Sequence, residues 1–72
     1  MERFLRYSLS HNRPIRLMLM TAEGQLRQVK AVVEALCADS VSLYILRPPQ
    51  RLTVRMEQLL AADYVRGDEG QD

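Results

Sequence analysis

Hydrophobic and polar residues alternate along several stretches of the chain, which is the pattern of strands that bury one face. The clearest stretches are 14–22, 41–47 and 51–56. Successive side chains of a strand point to opposite faces, so in the first stretch Ile15, Leu17 and Leu19 are predicted to face a core. The opposite set is only half polar because it contains Met18 and Met20, which indicates that the outer face of this strand is partly covered.

Turn-forming residues separate these stretches and delimit further elements. Asn12 and Pro14 follow a run with helical spacing, which predicts a short helix over 2–11. Gly24 predicts a tight turn after the first strand. The pair Pro48-Pro49 cannot donate to a strand ladder, so it is predicted to break the chain between two strands that pair as a hairpin. Beyond them we expect a helical turn over 57–60 and a last strand over 61–66.

Residues 25–38 fit two kinds of secondary structure. Four apolar residues recur there at helical spacing: Leu26, Val29, Val33 and Leu36. Alanines in the same stretch also favour a helix, and periodicity slightly prefers it. A strand is the alternative, because a tight turn directly after a strand favours a hairpin partner. The residues alone leave both structures open.

The length of 72 residues allows one small domain with a thin core. We place this domain at 1–67 and predict a mobile acidic tail at 68–72. One cysteine excludes an internal disulfide. Cys37 and His11 cannot complete a structural zinc site, which needs four ligands. Extra stability is therefore expected from packing or from self-association.

The formal net charge of +1 does not by itself indicate a nucleic-acid partner. Nine of the ten basic residues are arginine, which suits planar or stacked contacts. A GC-rich genome, which favours arginine codons, explains this composition equally well. No signal peptide or membrane span is recognisable, so no membrane partner is expected. A lone thiol fits a reducing compartment, and we expect a cytoplasmic protein.

Catalysis is not expected, because no cluster of titratable side chains is visible in the sequence. His11 lies at a predicted helix end, where it would interact with the helix dipole. Cys37 is expected to be a buried, inert thiol. The glycines are scattered and form no phosphate-binding loop. We therefore predict a protein that is not an enzyme and that uses neither a cofactor nor a metal.

The order of these segments resembles the small barrel at the centre of WYL domains. Residues 12–17 resemble the family's passage from a helix into a strand in which apolar residues alternate after an arginine, and 43–46 stand where its Trp-Tyr-Leu signature would lie. Residues 51–56 stand where the following Arg-rich strand would lie, although the chain has no tryptophan. The resemblance implies a mainly β fold, a five-stranded SH3-like or Sm-like barrel with a short N-terminal helix. It also implies that 25–36 form a long, bent strand.

Two sets of side chains are candidates for binding. The candidate nucleic-acid or ligand site comprises Arg16, Tyr44, Arg47, Arg51 and Arg55. Arginine beside tyrosine can stack on bases or hold phosphates, but the same residues also suit a solvated strand face that resists aggregation. Glu57 and Asp63 are close enough in sequence to neutralise part of this set.

The candidate self-association surface comprises Met18, Met20, Tyr44 and Leu46. A thin barrel cannot bury both faces of its strands, so these side chains should lie under the helix or in a contact between subunits. The first functional hypothesis is thus a self-associating interaction module, a homodimer or ring with a regulatory role. Binding of single-stranded nucleic acid is the second, and sensing of a small ligand is the third.

Overall fold

The computed structural model describes residues 1–70, which form one helix and five strands. The elements are α1 (Glu2–His11), β1 (Ile15–Met20), β2 (Leu26–Leu36), β3 (Ser40–Leu46), β4 (Pro49–Arg55), a single 3₁₀ turn (Met56–Gln58) and β5 (Leu59–Tyr64). The predicted helix over 2–11 is confirmed. All five predicted strands are present, and their ends differ from the predicted ones by a few residues.

The strands form one antiparallel sheet with the order β4-β3-β2-β1-β5. Neighbours in sequence are neighbours in the sheet up to β4, and β5 then returns to pair with β1, with Tyr64 opposite Ile15. β4 and β5 are the two edges of this open sheet. The structure therefore confirms a mainly β protein with five strands and an N-terminal helix.

The ambiguous stretch is a strand, and the helical alternative is wrong. β2 pairs with β1 through Leu26–Ala31 and with β3 through Ala31–Leu36. Its buried residues alternate as Val29, Ala31 and Val33. Helix propensity is a weak preference, and here it is outweighed because β1 pairs with the first half of the strand and β3 with the second half.

The core lies on the inner face of the sheet, where the alternating apolar residues meet. Its members from the strands are Ile15, Leu17, Leu19, Val29, Ala31, Val33, Val41, Leu43, Ile45, Val54 and Leu59. The predicted inward set of β1 is confirmed. α1 lies on the same face and contributes Leu5, which is fully buried, and Tyr7.

Ser8 attaches the helix to the sheet. Its buried hydroxyl accepts a hydrogen bond from the Val33 N–H at 2.8 Å and donates one to the Arg13 carbonyl at 2.6 Å. Val33 stands beside an irregularity in the β2–β3 pairing, and the serine supplies the partner that its N–H needs there. Asn12 ends the helix in the left-handed conformation, with φ 55°, as its sequence position predicts.

The proline break is shorter than predicted. Pro49 is the first residue of β4 and pairs with Leu46, so only Arg47 and Pro48 form the turn. β4 is an edge strand, and a proline at the start of an edge strand removes no necessary ladder bond.

The first residues of the predicted acidic tail contact the helix. The Tyr7 hydroxyl lies 2.8 Å from both carboxylate oxygens of Asp68, and the Gly70 N–H donates to the same carboxylate at 2.9 Å. The side chain of Asp68 is 11% exposed. Residues 71 and 72 of that predicted tail lie outside the described residues.

Candidate functional site

The outer face of the sheet carries most of the predicted site residues. On it lie Arg16, Met18 and Met20 of β1, Tyr44 and Leu46 of β3, and Arg51 and Arg55 of β4. They occupy this face because each alternates with a core residue of its own strand. α1 covers the inner face instead, so the alternative in which the helix shelters the apolar members is wrong.

Tyr44 and Arg51 form the best-defined pair of the predicted site. They lie directly opposite each other in the β3–β4 ladder, and the Arg51 guanidinium carbon is 5.3 Å from the centre of the Tyr44 ring. The same guanidinium donates to both carboxylate oxygens of Glu34, at 3.1 and 3.4 Å. The guanidinium of Arg51 is therefore already paired with a carboxylate of β2.

Two further predicted arginines also have acidic neighbours. Arg16 donates to the Tyr64 carbonyl at 3.0 Å and to the Asp63 carboxylate at 3.2 Å. The guanidinium of Arg55 lies 3.7 Å from the Glu57 carboxylate. The predicted neutralisation by Glu57 and Asp63 is confirmed, and Glu34 adds a third compensating charge that the sequence pattern did not reveal.

Arg47 differs from the other predicted arginines. It is exposed in the turn after β3 and makes no salt bridge within the described part of the chain. Arg16 is likewise set apart, because β2 lies between it and Tyr44. The five predicted residues thus share a surface without forming one continuous positive site.

The apolar residues of the outer face form two clusters. Met18 and Met20 lie on β1, and Met20 is opposite Leu26, a residue that is 63% exposed. On the other side, Tyr44 is opposite Val32 and shares its strand with Leu46. Gln28 and Lys30 separate the clusters along β2.

Two members of these clusters were missed by sequence reasoning. Leu26 and Val32 belong to the outward set of β2, and only the register of the sheet shows that they lie beside Met20 and Tyr44. Under the helical alternative, Leu26 would instead have belonged to the buried face.

A separate groove of about 580 Å³ lies between the helix and the end of β2. Leu9, Leu36, Cys37 and Met56 are among its lining residues. Cys37 is exposed there, so the expectation of a buried thiol is wrong. It follows the last residue of β2 and precedes the turn to β3, where side chains lie beyond the reach of the core.

The fold perturbs the titration of Tyr7 and Asp68. Burial raises the pKa of the Tyr7 phenol, and its hydrogen bond to Asp68 raises it further. The Gly70 N–H and the Tyr7 hydroxyl lower the pKa of Asp68, and Arg13 adds to this effect. This pair ties the chain after β5 to the helix.

In the described part of the chain, no group of three or more His, Cys, Asp or Glu side chains is placed to hold a metal ion. No helix within residues 1–70 has the length and apolar character needed to cross a membrane.

Comparison of the chain with protein-family models, with curated proteins and with solved structures returned no match. The resemblance to WYL domains therefore stays a prediction from the sequence.

Proposed function

We propose that this chain is a non-catalytic protein-interaction module that self-associates through the outer face of its sheet. The observation that carries the proposal is the pair of apolar clusters on that face, which none of the described elements covers. Large apolar patches on a small protein mark contact surfaces. The regulatory role that the resemblance to WYL domains implies belongs to the same proposal.

The chemistry of the face suits a second copy of the chain. Methionine adapts its shape to an irregular partner, and Met18 and Met20 provide this on β1. The net charge of +1 opposes association only weakly. A domain of this length also has little core to stabilise it, and association adds buried apolar area.

We also propose that the sheet is a small barrel of the SH3-like or Sm-like kind. Two observations support a barrel. One is the strand order, in which a 3₁₀ turn joins β4 to β5, and the other is the position of Gln58. The Gln58 amide accepts from the Arg55 N–H at 2.8 Å and donates to the Met20 carbonyl at 3.1 Å. In a flat sheet β1 and β4 would lie about 14 Å apart, so one side chain reaches both only because the sheet curls.

The test of self-association is light scattering coupled to size-exclusion chromatography. We expect the wild-type chain to elute as a dimer or larger assembly. Replacing Met18 or Met20 by glutamate should shift it toward monomer, because a charge would then be buried in the contact. Gln50→Glu, at an exposed position of β4 opposite the inward-facing Ile45, is the matched control and should leave the mass unchanged.

Two results would overturn this proposal. One is a wild-type chain that remains a monomer at high protein concentration. The other is an assembly that survives Met18→Glu and Met20→Glu but is lost with Leu9→Glu, which would move the contact to the groove beside the helix.

Binding of single-stranded nucleic acid is the second candidate, favoured by the packing of Arg51 against Tyr44. Aromatic and guanidinium planes are platforms for bases. The carboxylates of Glu34, Asp63 and Glu57 weigh against it because they reduce the positive potential. Salt-sensitive binding of an oligothymidylate that is weakened by Arg51→Ala and Arg55→Ala would support this function. Unchanged binding in both variants would exclude this site.

A further inference from the structure

Two basic residues that line one groove have no acidic partner among the described residues, unlike three arginines of the outer face. Lys30 and Arg47 make no salt bridge within residues 1–70. With Gln28, Val29 and Leu46 they line a groove of about 440 Å³. Arg16, Arg51 and Arg55, in contrast, each have a carboxylate within 4 Å.

The groove exists because β2 is longer than its pairing with β3. The ladder between them ends at Ala31 opposite Ile45, while Leu26–Lys30 pair with β1 alone. Backbone N–H and C=O groups of a strand point alternately to its two sides. Part of Leu26–Lys30 therefore presents donors and acceptors toward the groove, and no described strand takes them up.

The charge at this edge is uncompensated. Lys30 lies opposite Arg16 in the β1–β2 ladder, and like charges in that position are unfavourable. Arg16 directs its guanidinium to Asp63 on the other neighbouring strand. The positive charges of Lys30 and Arg47 thus remain available to a ligand from outside.

We infer that this groove binds an extended acidic peptide, which adds as a strand to the free edge of Leu26–Lys30. The backbone of the peptide forms the ladder, as in other cases of strand addition. Its carboxylates contact Lys30 and Arg47, and its alternate apolar side chains pack against Val29. A peptide fits better than a nucleic acid because only a peptide has backbone groups spaced to match a strand edge.

This inference does not depend on self-association. The groove and the proposed contact face share Gln28, Lys30 and Leu46, whereas Arg47 lies in the turn beyond that face. A monomeric chain that binds the peptide would refute self-association and leave the inference standing. A chain that assembles but has no affinity for the peptide would refute the inference and leave self-association standing.

The first experiment uses the complete chain and a fluorescent decapeptide in which glutamate alternates with threonine and valine. Fluorescence anisotropy should show saturable binding, with no comparable binding of the peptide in which lysine replaces glutamate. Two further peptides carry N-methyl groups on the odd or on the even residues. One of them should lose binding and the other retain it, because only one set of amides faces the protein in a strand pair.

The second experiment reverses the charges of the groove. Lys30→Glu and Arg47→Glu should each lower the affinity for the acidic peptide by about tenfold or more, which is the scale of one lost charge contact. Arg66→Glu is the matched control, since it changes the net charge equally at an exposed residue outside the groove. All three positions are exposed, and circular dichroism checks that the variants fold.

Three outcomes would overturn the inference. Equal binding of the acidic and basic peptides would show that the groove does not recognise negative charge. Equal retention of both N-methylated peptides would show adhesion without strand pairing. An oligothymidylate that binds more tightly than the peptide, and loses affinity with Lys30→Glu and Arg47→Glu, would assign the groove to nucleic acid.

Discussion

The two faces of the sheet are built by the same strands but differ in what their side chains contact. On the inner face Leu43 and Ile45 are fully buried against the other strands and the helix. On the outer face their neighbours Tyr44 and Leu46 are half-buried, and charged side chains pair around them. The inner face therefore determines the stability of the fold, whereas the outer face is available for contacts with other molecules.

Adjacent residues of β3 give the largest contrast. Ile45→Ala removes a fully buried side chain and should lower the free energy of unfolding by about 2–5 kcal/mol. Leu46→Ala, one residue along on the outer face, should cost about 1 kcal/mol or less. Urea unfolding of both variants measures the difference, and equal losses would contradict the division between the faces.

Ser8 tests how the helix is joined to the inner face. Ser8→Ala leaves the Val33 N–H without its side-chain partner and should lower the free energy of unfolding by about 1–3 kcal/mol. Ser10→Ala is the control on the same helix, because Ser10 is exposed, and it should change stability little. A change no larger in Ser8→Ala than in Ser10→Ala would mean that water or another group replaces the hydroxyl.

The pair Tyr7 and Asp68 makes stability depend on pH at both extremes. The lowered pKa of Asp68 stabilises the fold above the carboxyl pKa of an unfolded chain, about 4, and this contribution is lost as the pH falls through the folded value. The raised pKa of Tyr7 acts in the opposite direction, so its contribution is lost as the pH rises above about 10.

Tyr7→Phe is the variant that tests this dependence. It should reduce the acid-sensitive part of stability, since Asp68 loses one of its hydrogen bonds, and it should abolish the alkaline loss due to this phenol. Thermal unfolding between pH 2 and pH 11 provides the measurement. A variant with an unaltered pH profile would show that the contact does not form in solution.

The smallest effect is expected from the ion pair of Arg51 and Glu34. Both side chains are exposed, 75% and 37%, so a double-mutant cycle should give a coupling of about 0.5 kcal/mol or less. A coupling well above 1 kcal/mol would show that the outer face contributes to stability more than its exposure suggests.

The sequence predicted the elements whose pattern is local. The helix over 2–11, its end at Asn12 and the alternating strands were predicted from spacing and turn residues alone. β2 was not, because its apolar residues satisfy both periods. Its structure follows from partners that lie elsewhere in the chain, namely β1 and β3.

The candidate site shows the same limit. The alternation of β3 and β4 placed Tyr44 and Arg51 correctly on one face once the hairpin was assumed, and the register then put them opposite each other. The partnership of Arg51 with Glu34 was not foreseeable, since the two are 17 residues apart and meet only through the β2–β3–β4 order. The groove beside Lys30 was missed for a similar reason, because it depends on where one ladder stops.

The sequence by itself determined the mainly β character of this protein and the inward-facing and outward-facing residues of β1, β3 and β4. These follow from side-chain periodicity, which is a property of neighbouring residues. The tertiary structure decided the state of β2, which arginines are neutralised and where a strand edge stays open. Such features depend on register and strand order, because these bring distant residues within a few ångströms of one another.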